Sequence, residues 1–221
     1  MHFGASLPQI SLHTEYFTTG QTNKIQSFCR VSDSLRHDPS AIWAYLVPIL
    51  TDMKEKHMAI EYILFYSDGP TAQYSQKINF YLFSTLIFDL GFLGGSWNFH
   101  EAGHGKGIPD GIGGSIKRSA DAKVGYGAEI IDASSFVKEL NNNTIKVYEI
   151  KESEIRKIDD VILALKTIPG TMKVHQVFAV ARSHLKYRDI SFLPINCNDH
   201  PCDNFAFPGD STEKIYRSTE G

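Results

Sequence analysis

The order in which two hydrophobic periods alternate along the chain constrains its fold most. Gln9 to Phe17 and Lys24 to Val31 read as strands, and the polar turn between them predicts a hairpin. Asp38-Pro39 then supplies an N-cap followed by proline at the first helical position. Ile42, Leu46, Ile49, Leu50 and Met53 recur at helical spacing, so a helix is expected to about His57, kinked at Pro48. Ile60 to Tyr66 is a continuous apolar run, the mark of a strand buried on both faces. Ile78, Leu82 and Leu86, with Tyr81, predict a helix to about Leu90, and Ser96 to Phe99 a strand. Ile112, Ile116, Ala120 and Val124 recur every four residues, so another helix starts near Asp110. Strand, strand, helix, strand, helix, strand, helix is an α/β order, with helices on the faces of a sheet. Further on, Asp132 caps a helix through Leu140, Thr144 to Ile150 is a strand, Ser153 to Lys166 a helix, and Met172 to Ala181 a strand.

Composition narrows the function classes. The 221 residues carry a net charge of −3, so any polyanion site must be local rather than global. No apolar run approaches the ~18 residues of a membrane span. MHFGASLPQIS lacks the basic and apolar regions of a signal peptide. Three cysteines (Cys29, Cys197, Cys202) form no disulfide framework, which points to a reducing compartment, nuclear or cytoplasmic. Cys197, His200 and Cys202 could supply three zinc ligands, but no fourth is obvious, and two free cysteines on a polar tail is the favoured reading. The segment from about Cys197 to Gly221 is polar, lacks apolar periodicity, and is expected to be a mobile tail.

HEAGHGKGIPD, His100 to Asp110, fits the zinc-protease pattern His-Glu-x-x-His, with Gly107 and Asp110 at the places where a longer version has glycine and a third ligand. That chemistry needs a helix, because only there do residues four apart share a face and point two imidazoles at one metal. FLGGSWNF before the motif and Gly105, Gly107 and Pro109 after it are poor helix formers. A zinc metalloprotease is therefore the weakest of the readings.

The aspartates lie at more telling places. Asp68 follows a buried strand, where α/β sheets put function, and Asp110 opens a helix after another strand. Two such carboxylates are hard oxygen ligands for Mg²⁺ or Mn²⁺. They also suit turns and helix caps, since Asp-Gly-Pro and Pro-Asp-Gly are turn sequences. Lys117, Arg118 and Lys123 form a basic helical face, suited to phosphates or to plain solvation.

SDGPTAQYSQKINFYLF, then WNFHEAGHGKGIPDGIGGSIKRSAD, with SLHTEYF and VSDSLRHD upstream and HQV downstream, resembles a family of mostly uncharacterised, transposon-derived animal proteins. The resemblance spans residues 2 to 190. It implies an RNase H-like core of the DDE/DDD transposase type, with one acid on the first strand, one after the fourth and one at a later helix. Asp68 matches the second and Asp110 the third, with His104 beside them as a catalytic proton-transfer group and Lys106, Lys117 and Arg118 on DNA phosphate. Members of the family carry Asp-Phe-x-Glu-Asn on a strand before a segment like that at Met1 to Gly4. This sequence lacks it. In a sheet ordered 3-2-1-4-5 the missing strand is the central one. The expectation is therefore a mixed RNase H-like sheet flanked by helices without its first strand (1–128), an α/β extension (129–190) and the tail (191–221). Thr144–Ile150 is a candidate to fill the gap, and Asp33, Asp38 and Glu101 are candidates for a substitute acid. The implied activity is divalent-metal-dependent DNA strand cleavage and joining, inactive here if the first acid has no substitute. The alternative is a non-catalytic remnant that binds nucleic acid or protein.

Overall fold

The computed structural model describes residues 9–19, 25–67, 77–100, 107–140, 144–162, 174–189 and 202–207. These form an α/β protein with two mixed sheets flanked by helices. The chain divides into two compact units, residues 1–36 with 106–156 and residues 37–105 with 157–221.

In the first unit, β1 (Ser11–Thr18) and β2 (Ile25–Ser32) make the expected antiparallel hairpin, and β5 (Ile145–Glu149) lies parallel to β2. Alternation sorts the side chains. Cys29 and Val31 of β2 and Ile145 and Val147 of β5 face one side. There they pack with Ile112 and Ile116 of α3 (Ile108–Gly125) and with Ala133, Phe136 and Leu140 of α4 (Ala133–Leu140). Ile112 and Ile116 are one turn apart, which is why α3 buries this stripe and leaves Lys117 and Arg118 in solvent. Asp132 caps α4, its carboxylate accepting from the Ser135 backbone N–H at 2.7 Å.

In the second unit, β3 (Tyr62–Ser67) runs parallel to β4 (Gly94–Phe99), followed by the antiparallel strands β6 (Gln176–Ala181), β7 (His184–Arg188) and β8 (Asp203–Ala206). One face carries α1 (Pro39–Lys56) and α2 (Lys77–Asp89). Trp43 of α1 meets Phe65 and Trp97 edge-on at 6.2 and 6.0 Å, and Phe83 of α2 meets Trp97 at 5.6 Å. Trp43 Nε1–H donates to Asn79 Oδ1 at 2.7 Å, so the indole is buried without an unpaired donor. β3 and β4 approach closely because Gly95 has no side chain: a Cβ there would lie 2.6 Å from the Ile63 carbonyl oxygen. On the opposite face the buried polar side chains of Ser96, Asn98, Gln176 and Arg188 run across β4, β6 and β7. Asn98 Nδ2 donates to Ser96 Oγ at 3.1 Å, Gln176 Nε2 to Asn98 Oδ1 at 2.6 Å, and Arg188 Nε to Gln176 Oε1 at 2.6 Å. Burial lowers the Arg188 pKa, and its guanidinium sits 5.0 Å from the Phe178 ring centre. Shifting any strand by one residue would turn this row to the other face, so it fixes the register.

Several expectations are corrected. The anticipated sheet is two sheets, and β1 and β3 are each an edge strand of their own. β3 is not buried on both faces: Tyr62, Leu64 and Tyr66 are 60%, 43% and 50% exposed, because no strand among the described residues covers its outer edge. Thr144–Ile150 does not pair with β1 or β3, because β2 offers its far edge to β5 instead. Helix α1, by contrast, runs through Pro48 to Lys56, close to its expected end near His57. The tail contributes β8, whose following residue Phe207 is buried against Tyr81. Cys202 is disulfide-bonded rather than a free thiol.

Candidate functional site

The candidate site is built from the carboxyl ends of β3 and β4. These strands are parallel neighbours and end level, Ser67 opposite Phe99. The His100 backbone N–H donates to the Ser67 carbonyl at 2.9 Å and Trp97 Nε1–H to Ser67 Oγ at 3.0 Å. Asn98 Nδ2 donates to the Phe65 carbonyl at 3.1 Å. The Tyr66 and His100 rings stack with centres 6.0 Å apart. Ser67 is thus held by backbone and side chain together, and Asp68 follows it in sequence at the sheet end where α/β proteins place ligands. Asp68 itself, Glu101, His104 and Lys106 lie outside the described residues.

Extended backbone through Phe99, with His100 continuing the ladder, is not the helix that a His-Glu-x-x-His metal site requires at its first histidine. The next helix, α3, starts only at Ile108. Asp110 is exposed in its first turn, where its charge complements the helix dipole. Gly107 caps that helix without a side-chain bond. Lys117 and Arg118 are both exposed about two turns further on, and Arg118 lies close over Gly114. Lys123 is paired with Glu139 at 3.6 Å. Asp110, Lys117 and Arg118 belong to the first unit, whereas Ser67 and His100 belong to the second. Asp33 and Asp38 are employed structurally: Asp33 Oδ1 accepts from the Ala133 N–H at 2.8 Å, and Asp38 Oδ1 accepts from the Ala41 N–H at 3.1 Å as the cap of α1. No group of three metal-binding side chains occurs among the described residues. The two aspartates offer carboxylate oxygen only, a donor set that suits Mg²⁺ or Mn²⁺ and not a soft metal.

One cluster was missed in the sequence. On the face of β1 and β2 opposite the α3 core, Glu15 lies 3.9 Å from Arg30 Nε and 3.6 Å from His13 Nε2. The Arg30 guanidinium sits 4.3 Å from the Tyr148 ring centre. Glu15 Oε1 is buried with no hydrogen-bond partner among the described residues. Burial pushes the Glu15 carboxyl up to about 8, with Arg30 only partly offsetting it. Burial, then Glu15, pushes the Cys29 thiol up to about 12, so Cys29 is an inert core thiol. The signal was the hairpin register, which sets His13 opposite Arg30 and Glu15 opposite Phe28.

Fold and exposure together define an α/β protein with two mixed sheets flanked by helices and with Lys117 and Arg118 exposed on α3. The chain belongs to a family described as a domain of unknown function (DUF8701), whose sequence model matches residues 1–191. No curated protein and no solved structure matches it. No helix among the described residues is long and apolar enough to cross a membrane.

Proposed function

We propose that the chain is a transposase-derived, RNase H-like core that acts on DNA phosphodiesters, with Asp68 and Asp110 as ligands for Mg²⁺ or Mn²⁺. The observation that carries this reading is strand order. In a sheet ordered 3-2-1-4-5, strands 3 and 2 are neighbours, and so are strands 4 and 5. Among the described residues β2 neighbours β1 and β3 neighbours β4, with α1 between the pairs in sequence. Asp68 then follows the strand equivalent to the fourth, and Asp110 opens a later helix. Divalent metal supplies, when bound, charge neutralisation at the attacked phosphate and an activated oxygen nucleophile. His104 handles a proton at that site, and Lys106, Lys117 and Arg118 hold DNA phosphates.

The test is binding and cleavage of labelled duplex DNA with Mn²⁺, Mg²⁺ or chelator. The reading expects metal-dependent strand cleavage that Asp68→Asn and Asp110→Asn each abolish. A second reading, a non-catalytic binding remnant, is favoured by the exposed Lys117 and Arg118 of α3. It expects DNA binding that survives both chelator and Asp68→Asn, with no cleavage. Stoichiometric zinc lost on His100→Ala would instead support the protease.

A further inference from the structure

Exposed sheet edges are hazards that proteins blunt with charge, proline or bulges. Among the described residues four strands end the two sheets: β1, β5, β3 and β8. β1 carries Glu15, β5 carries Lys146 and Glu149, and β8 carries Asp203. β3, YILFYS, alone has no charge and no proline. Its pairing with β4 runs without a bulge from Tyr62 to Ser67. One of its faces presents Tyr62, Leu64 and Tyr66 to solvent, and Ile63 and Phe65 on the other continue the aromatic core.

The sequence of β3 also reads nearly the same in both directions. Antiparallel pairing centred on Leu64 sets Leu64 opposite Leu64, Tyr62 opposite Tyr66, Ile63 opposite Phe65 and Glu61 opposite Ser67. Aromatic and aliphatic residues meet across the pair on both faces, and no like charges face each other. A partner strand bearing charge would set that charge against Tyr62, Leu64 or Tyr66, which have none to return. We propose that β3 pairs with β3 of a second copy of this chain in a twofold, isologous interface that joins two sheets edge to edge. The inference does not depend on the phosphoryl-transfer reading.

A six-residue strand pair covers less than a standard interface, so the dimer dissociates on dilution. Sedimentation velocity of the full chain over a wide concentration range reads it. Leu64→Lys sets two ammonium groups opposite each other and weakens association by at least about tenfold. Because Leu64 is 43% exposed, that lysine is solvated in the monomer and the fold survives, as an unchanged circular dichroism spectrum checks. Tyr62→Lys, at a residue 60% exposed, is the second such variant. The register is tested by cysteine. Leu64→Cys faces itself and crosslinks on oxidation. Tyr62→Cys does not crosslink alone but does so when mixed with Tyr66→Cys, and the unsubstituted chain controls for its own thiols. A chain that stays monomeric throughout overturns the proposal. So does a dimer unmoved by both lysine variants, or one in which Leu64→Cys stays unlinked.

Discussion

Glu15 offers the sharpest test of the structure's energetics. Its carboxyl titrates near 4.5 in the open chain and about 8 in the folded one, because the folded chain takes it out of water. Between those values the native state holds one proton that the unfolded state has released, so stability falls as pH rises, by about 1.4 kcal/mol per pH unit. The contribution is fully present below about 4.5 and is lost by about 8. From pH 5.5 to 7.5 the native chain should therefore lose about 3 kcal/mol that Glu15→Gln does not lose. Both should carry His13→Gln, so that the neighbouring imidazole does not titrate. Trp43 and Trp97 both lie in the other unit, so tryptophan fluorescence is blind to this region. Cys29, buried in the core of the same unit, is the better reporter. Its alkylation rate, resolved by mass spectrometry and divided by the rate in the urea-unfolded chain at the same pH, gives the opening free energy. Parallel slopes for the two chains would refute the reasoning. A pH-independent parent chain, more stable than Glu15→Gln throughout, would mean that Glu15 is ionised and paired with Arg30.

Three further outcomes follow from packing and charge. Trp97→Ala removes an indole 2% exposed that contacts Trp43, Phe65, Phe83 and Phe99, and should cost about 3–5 kcal/mol in urea unfolding. Gly95→Ala should destabilise by about 1–3 kcal/mol, since its methyl group meets Ile63 backbone. Gly111→Ala, with nothing within 4 Å on a helix, should stabilise by about 0.5–1 kcal/mol in the same assay. Lys117→Ala and Arg118→Ala should each reduce the salt dependence of DNA binding by about one unit of the log–log slope and weaken binding alike across sequences, as a filter-binding salt series would show.

Most elements were legible because each has a period and a boundary signal of its own. Asp38-Pro39 gave α1 its start, Asp132 gave α4 its cap, and the spacing of Ile112 and Ile116 gave α3 its buried stripe. Neighbours across space were not legible. Tyr62 to Tyr66 is apolar whether the strand is central or at an edge, so the run could not reveal that one face is open. Thr144–Ile150 reads as a strand wherever it pairs, and only the fold places it beside β2. β7 is short and polar at alternate positions, and the four-residue β8 has no alternation and is ordered by its pairing with β7 and by Phe207 against Tyr81, contacts distant in sequence. The level ends of β3 and β4 follow from their parallel pairing, which neither run shows by itself. The Glu15–Arg30 contact needs the hairpin register, which no single strand contains.

The central claim is that Asp68 and Asp110 hold a hard divalent cation for work on DNA. Mn²⁺ binding by the full chain, followed by electron paramagnetic resonance of the free ion, tests it most directly. The account predicts stoichiometric Mn²⁺ that Mg²⁺ displaces and that Asp68→Asn and Asp110→Asn each weaken at least about tenfold, the loss of one charged ligand costing about 1.4 kcal/mol or more. Mn²⁺ binding untouched by both substitutions, or no binding at all, would contradict it.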